Sequence, residues 1–319
     1  MTCNGTQQAA RDAALQMMLL MWAGGLGALV YCGGYPDEKR REACKFRISW
    51  KQYVGEPVLR RMVTFLLQEP NLLRDGSLVD AGANDGTDSL LYANLASGAA
   101  NRSGLPARLV HAIEPLPQNM VLVQRKANGA PNLLPLHGGL GAQAGVGRIP
   151  AALARQKAGI YAQLRSDIGA QQSGSKMQKA IRTFQDGLTF PIYPIDDMVK
   201  TLWFGEQIAF MHLDLEGGEL SALQGARYTL QQHKPWFTVE VQAKTWPERT
   251  TMLLTLISSM RYEAYEIDEI CAPVPDCRNV LCVPLLDVAK LLSSSMYRTL
   301  KHRLRRLPAP SMQHANMSA

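Results

Sequence analysis

The chain has 319 residues, 46% hydrophobic and 19% charged, with a net charge of +7 from 34 basic and 27 acidic side chains. That is enough apolar material for one sizeable core, so a single domain with extensions is expected and a disordered or collagenous chain is excluded. The basic excess sits at the flanks (Lys39, Arg40, Arg41, Lys45, Arg47, Lys51, then Arg298, Lys301, Arg303, Arg305, Arg306) around a nearly balanced middle, which argues against a nucleic-acid partner.

In chain order, residues 13 to 32, "AALQMMLLMWAGGLGALVYC", come first. At 1.5 Å per residue this run covers about 30 Å, the thickness of a bilayer core. A membrane anchor, a cleaved signal peptide and a buried helix compete. Only Arg11 offers a basic start, offset by Asp12, which disfavours a signal. Three crowded glycines disfavour a buried helix. A single-pass anchor within residues 1–35 is therefore expected, with membrane association through residues 13–32. More Lys and Arg follow the run than precede it, which points to a cytoplasmic body. Sequons at Asn4, Asn101 and Asn316 point the other way and leave topology open. Residues 36–75 read as a linker and a helical extension. Six cysteines show neither zinc-finger spacing nor CxxC; Cys271, Cys277 and Cys282 leave both a disulfide and free thiols open.

From residue 76 the pattern alternates. "SLVDAGA" is an apolar strand, "GTDSLLYANLAS" a helix, "ARLVHAIEP" a strand, "PQNMVLVQRKAN" a helix and "NLLPLHGG" a third strand. "QIAFMHLDLEGG" is a strand followed by the helix "ELSALQGARYTLQQH". "PWFTVEVQ" is a strand followed by the helix "PERTTMLLTLISSM", and "YEAYEID" with "NVLCVPL" make an edge hairpin. Short apolar strands alternating with amphipathic helices specify a parallel sheet covered on both faces. Residues 141–190, rich in Gly, Ala, Gln and Ser, interrupt this α/β series and are expected to form short helices and a mobile lid. Residues 291–319 read as a basic C-terminal tail.

In such a sheet, ligands bind beyond the carboxyl ends of the strands. "LVDAGANDGTDS" places Asp80 at the end of the first strand and a glycine turn from Gly82 to Gly86. Glu114 ends the second strand, where an acid can accept hydrogen bonds from both hydroxyls of a ribose. The glycines are spaced GxxxG rather than GxGxxG, and Asp80 and Asp85 would repel a pyrophosphate, so a dinucleotide is disfavoured. A sulfonium nucleoside with an amino-acid tail, S-adenosylmethionine, fits this pattern.

The segments "VDAGANDGTDSLLYA", "AIEPLPQNMVLVQ", "YPIDDMV", "MHLDLEGGELSALQGA", "FTVEVQ" and "NVLCVP" together resemble the FkbM family of S-adenosylmethionine-dependent methyltransferases, over about residues 76–285. The resemblance implies a Rossmann-like class I sheet of seven strands, mostly parallel, in the order 3-2-1-4-5-7-6. It places the domain at residues 76–290 with the lid inserted. It implies that Asp80, Gly82, Asn84 and Gly86 line the methionine and ribose part of the cofactor, that Glu114 holds the ribose hydroxyls, and that Pro115 and Leu116 lie against adenine. Asp85 and the segment Gly138 to Gly141 depart from the family's pattern.

Methyl transfer to a hydroxyl needs a base beside the methyl. Asp214 is the first choice, with Glu216 beside it. Each also suits a helix-capping role. Glu240 is a second acceptor-side acid, and His212 shares a strand face with Asp214. Asp196 and Asp197 suit capping as well as ligand contact. Two acids on one short loop, Asp214 and Glu216, are too weak a signal to predict a metal. The expected activity is O-methylation of a hydroxyl on a saccharide or other small polyol-like acceptor. The alternative is a membrane-tethered, non-catalytic adaptor of the same fold.

Overall fold

The apolar pentad Ser77–Ala81 (β1) is buried along its whole length, as a central strand covered on both faces must be. It lies in a computed structural model that describes residues 56–69, 71–149, 187–269 and 277–308. Val110–Glu114 (β2) and Leu133–His137 (β3) extend the sheet on one side of β1. On the other side stand Ile208–Leu213 (β7), Trp236–Gln242 (β8), Cys277–Pro284 (β10), Tyr262–Ile267 (β9) and Leu304–Arg306 (β11). The order across the sheet is β11-β9-β10-β8-β7-β1-β2-β3. Pairing is parallel from β3 through β8 and antiparallel from β8 to β11.

Among the described residues the sheet has eight strands where seven were expected; the order 3-2-1-4-5-7-6 holds only when the strands of the small second sheet are left out of the count, and β11 is added outside β9. The extra strand comes from the stretch set apart as a basic tail. Residues 288–306 form the helices Val288–Ser293 (α8) and Ser295–Leu300 (α9), then return as β11 against β9. Arg305 and Arg306 pair there with Glu266 and Glu263, so cross-strand charge complementarity draws this basic segment onto the sheet edge. The numbering also changes because the lid segment is partly sheet. Gly139–Leu140 (β4), Gly145–Ile149 (β5) and Leu188–Tyr193 (β6) form a separate three-stranded sheet. Short helices were expected over residues 141–190; residues 150–186 lie outside the described residues, as does the apolar run 13–32. Among the described residues no helix is long and apolar enough to cross a membrane.

Helices cover both faces. Pro57–Gln68 (α1), Thr87–Ser103 (α2), Pro117–Ala127 (α3) and α9 pack one layer, which includes Leu59, Met62, Tyr92, Val123, Phe210, Trp236 and Leu281. Ile195–Thr201 (α4), Glu219–Gln224 (α5), Arg227–Gln232 (α6) and Pro247–Ser259 (α7) pack the other, around Val79, Met211, Phe237, Leu223 and Ile257. Each such buried side chain contributes about 1.5–3 kcal/mol relative to exposure. The single helix expected from residue 219 is two, broken at Gly225 and Ala226.

Residues 57–68 belong to this body. The backbone amides of Val58 and Leu59 donate to Glu269 at 2.7 and 3.0 Å, so a carboxylate from the far end of the chain caps α1. Cys277 is held in a disulfide, and Cys282 is a buried free thiol.

Candidate functional site

The tips of β1, β2, β7 and β8 meet at one end of the sheet, and the connections there are too tight for ordinary residues. Gly82 has φ 84°, and a Cβ on it would sit 1.7 Å from the carbonyl oxygen of Asp214. Gly82 is thus required by the approach of the β1 turn to the end of β7. Gly86, at φ 77°, ends the turn, and α2 starts with Thr87; a Cβ there would press on Val123 of α3. Gly86 thus seats α2 against α3.

Asp80, expected beside the cofactor, lies inside the sheet. It is 1% exposed. One oxygen meets Nδ1 of His212 at 2.9 Å, and the other accepts the hydroxyl of Ser89. His212 is its neighbour in register on β7. The carboxylate is therefore spent inside the protein, as the anchor of a buried histidine. Burial would lower the His212 pKa, but the hydrogen bond and charge of Asp80 outweigh it and push it up to about 9. Asp85 is no ligand-facing charge either: it pairs with Lys126 at 3.0 Å and accepts from the amide and hydroxyl of Thr87.

On the β2 side, Glu114 is 3% exposed. Its oxygens accept from the amides of Asn84 and Leu116, both at 2.8 Å, and from the Asn119 side chain at 3.4 Å. Asn84 adopts a left-handed conformation, φ 51°, which presents its amide to Glu114. Asn119 also donates to Oδ1 of Asn84 at 3.2 Å. Burial raises the Glu114 pKa to about 7 against the opposing effect of these donors. Pro115 is buried, and its carbonyl lies 3.0 Å from Nε2 of His137. One acceptor remains unused here: Oδ1 of Asn119 is buried with no partner. A carboxylate with spare lone pairs and a free amide oxygen suit the hydroxyls and ring donors of a nucleoside.

On the β7 and β8 side three acids converge. An oxygen from each of Asp214, Glu216 and Glu240 lies within 4.8 Å of the others. Asp214 follows β7 directly, with its amide on Ala81 O at 2.9 Å. Glu216 has φ 48°, an uncommon conformation for a residue without a turn-favouring side chain. Glu219 fixes that turn: Oε1 accepts the amides of Leu215 and Gly217 at 2.9 and 3.0 Å. It is an N-terminal residue of α5 that bonds backwards, and its part is structural. Burial, with the nearby Glu240 charge, drives the Asp214 carboxyl well above the usual range. Burial and the charges of Glu240 and Glu219 push Glu216 up to about 7. Beside the acids runs a groove lined by Gly217, Glu240, Gln242, Trp246 and Arg249, with the Arg249 guanidinium 5.5 Å from the Trp246 ring centre.

Asp196 is a cap. It takes the amides of Tyr228 and Thr229 at 2.8 Å and so caps α6 rather than its own helix. Asp197 is exposed. Sequence reasoning missed Asn119, Thr238, Asn279 and Glu56. Asn279 carried a signal, a polar residue opening a strand that is otherwise apolar. Glu56 read as linker, yet its buried carboxylate accepts from Asn279 at 2.6 Å.

Residues 80–267 match the methyltransferase FkbM domain family. No curated protein matches the chain. Among solved structures, the FkbM methyltransferase from Methylobacillus flagellatus KT is 19% identical, with a TM-score of 0.40, over 80% of this chain and 57% of that one. This chain thus spans little more than half the length of that protein. Fibrillarin from Aeropyrum pernix, solved with natively bound S-adenosyl-L-methionine, is 9% identical over 70% of this chain and 74% of its own, at a TM-score of 0.37. An O-methyltransferase from Bacillus cereus, in complex with SAH, is 10% identical over 74% and 86%, also at 0.37. The match over more than half of its length places the chain in the methyltransferase FkbM domain family.

Proposed function

We propose that the protein uses S-adenosylmethionine to methylate a hydroxyl of a saccharide or similar polyol. The observation that carries this reading is the division of the strand tips into two polar sites side by side. One is Glu114 with Asn84 and Asn119; the other is Asp214, Glu216 and Glu240. When bound, the cofactor supplies a methyl group on a sulfonium, already activated for displacement.

In this reading Glu114 and Asn119 take the ribose and adenosine contacts, and the left-handed Asn84 holds Glu114 in place. Asp80 does not touch ligand; it positions the end of β7 through His212. The three acids orient the acceptor and take the proton its hydroxyl must lose. Glu216, more open than Glu240 and held near pH 7 by burial, is better poised as the base than Asp214, whose proton is held too firmly. Trp246 and Arg249 line the approach with an aromatic face and a hydrogen-bonding fork, a combination that suits a sugar ring. The non-catalytic adaptor reading is not favoured for a member of a methyltransferase family.

The test is transfer of label from methyl-labelled S-adenosylmethionine to a panel of mono- and oligosaccharides, with amines and carboxylic acids as controls. Label in a base-stable saccharide ether is expected. Label only in amines or in carboxylic acids would overturn the acceptor class while leaving the cofactor in place.

A further inference from the structure

The acceptor-side acids are arranged in a way that proton removal alone does not require. Glu240, 5% exposed, is a costly place for a negative charge, and Asp214 and Glu216 are brought against it. Like charges this close repel unless a proton or a cation joins them. Nδ1 of His212 is given to Asp80, and Arg249 lines the groove beside Glu240, over Trp246.

Other buried atoms on the same face of the sheet also lack partners. Among the described residues, Oγ1 of Thr238, Oδ1 of Asn279 and the inner Oδ1 of Asp214 are buried without a hydrogen-bond partner. Thr238 and Asn279 are each 0% exposed. Asn279 stands opposite Glu240 in register between β10 and β8. Thr238 precedes Glu240 by two residues and so shares its face; across the sheet it pairs with His212, which precedes Asp214 by two. Unpartnered buried oxygens cost about 1–3 kcal/mol each, so each calls for a partner.

We propose that Asp214, Glu216 and Glu240 form a binding site for one divalent cation of the Mg2+, Mn2+ or Ca2+ type, with waters of its shell donating to Thr238 and Asn279. Hard cations take oxygen ligands at roughly 2.0–2.6 Å, so ligands on opposite sides of the ion lie about 4–5 Å apart. Oxygens within 4.8 Å of one another are close enough to converge on one such ion. The waters are pure donors towards the protein, and the two unpartnered oxygens of Thr238 and Asn279 are acceptors. The inference rests on the reading of this cluster as the acceptor side. It adds a role there: the cation binds the acceptor hydroxyl, lowers its pKa and makes its oxygen nucleophilic.

Titration of Mn2+ into the full chain, followed by loss of the free-ion electron paramagnetic resonance signal, tests this without reference to turnover. One Mn2+ per chain is expected, displaced by excess Mg2+ or Ca2+. Glu240→Gln and Glu216→Gln should each weaken it more than tenfold, and the exposed control Asp75→Asn should not change it. Binding of S-adenosylhomocysteine, measured on the same samples, reports that each variant is folded. Absence of Mn2+ binding by the wild type at millimolar metal, or binding indifferent to both glutamine variants, would overturn the inference. Wild-type Mn2+ binding without S-adenosylhomocysteine binding would uphold the cation site and overturn the methyltransferase cofactor reading.

Discussion

The β1–β2 tip and the β7–β8 tip are built from similar residues and satisfied to different degrees. At the β1–β2 tip, Asp80, Asp85 and Glu114 all have their donors, and the turn is locked by glycines that nothing larger can replace. Among the described residues, Oδ1 of Asn119, Nε2 of His212 and the Tyr92 hydroxyl are left over there. At the β7–β8 tip, three acids crowd together and Asp214, Thr238 and Asn279 keep unpartnered oxygens. The acids of one half are finished by the protein and those of the other by what it binds. That is how a rigid cofactor seat can stand beside an acceptor site held ready for transition-state contacts.

This contrast can be broken most severely at the finished half. Gly82→Ala drives a Cβ into the Asp214 carbonyl at a left-handed backbone position. A loss of more than about 4 kcal/mol is expected, seen as loss of soluble, cooperatively melting protein. Next comes Asp80→Asn. It leaves His212 buried without its charged partner, and urea unfolding should show a loss of about 3 kcal/mol. The open half should respond the other way. Glu216→Gln removes a like charge, so its melting temperature should hold or rise, while turnover falls about 100-fold. A matching fall in stability would mean that Glu216 is structural.

The pH dependence sharpens the same comparison with a smaller effect. Glu114, Glu216, Glu219 and Glu269 all have pKa values raised from 4.5 to about 7. Their protonated forms favour the folded state, so that contribution is whole below pH 4.5 and is lost as pH rises through 7. His212, raised to about 9, contributes fully below pH 6.5 and loses its part as pH climbs through 9. The melting temperature should therefore fall by several degrees from pH 5.5 to pH 9. Saturating Mn2+ should flatten the part due to Glu216. A melting temperature that rises over this range would contradict the burial assigned to these acids.

The parallel sheet was legible because buried strands such as "SLVDA" and "IAFMHL" are apolar throughout and are separated by helical periodicity. The eighth strand was not, because "LRR" reads as a basic tail until Glu263 and Glu266 are beside it. Glu114, Asp214 and Glu216 were legible as strand-end acids. The burial of Asp80 was hidden, because its partners His212 and Ser89 are far apart in sequence and each alone suggests nothing. Glu240 was seen as an acid, but its convergence with Glu216 follows from the left-handed turn at residue 216, which no spacing announces.

The central claim is that the two tips bind different things. Calorimetric titration of S-adenosylhomocysteine into the wild type, Glu114→Gln and Glu216→Gln tests it most directly. The account expects the wild type to bind, Glu114→Gln to lose 10- to 100-fold in affinity, about 1.5–3 kcal/mol for charge-assisted hydrogen bonds, and Glu216→Gln to stay within about threefold of wild type. Equal losses in both variants, or none in Glu114→Gln, would contradict it.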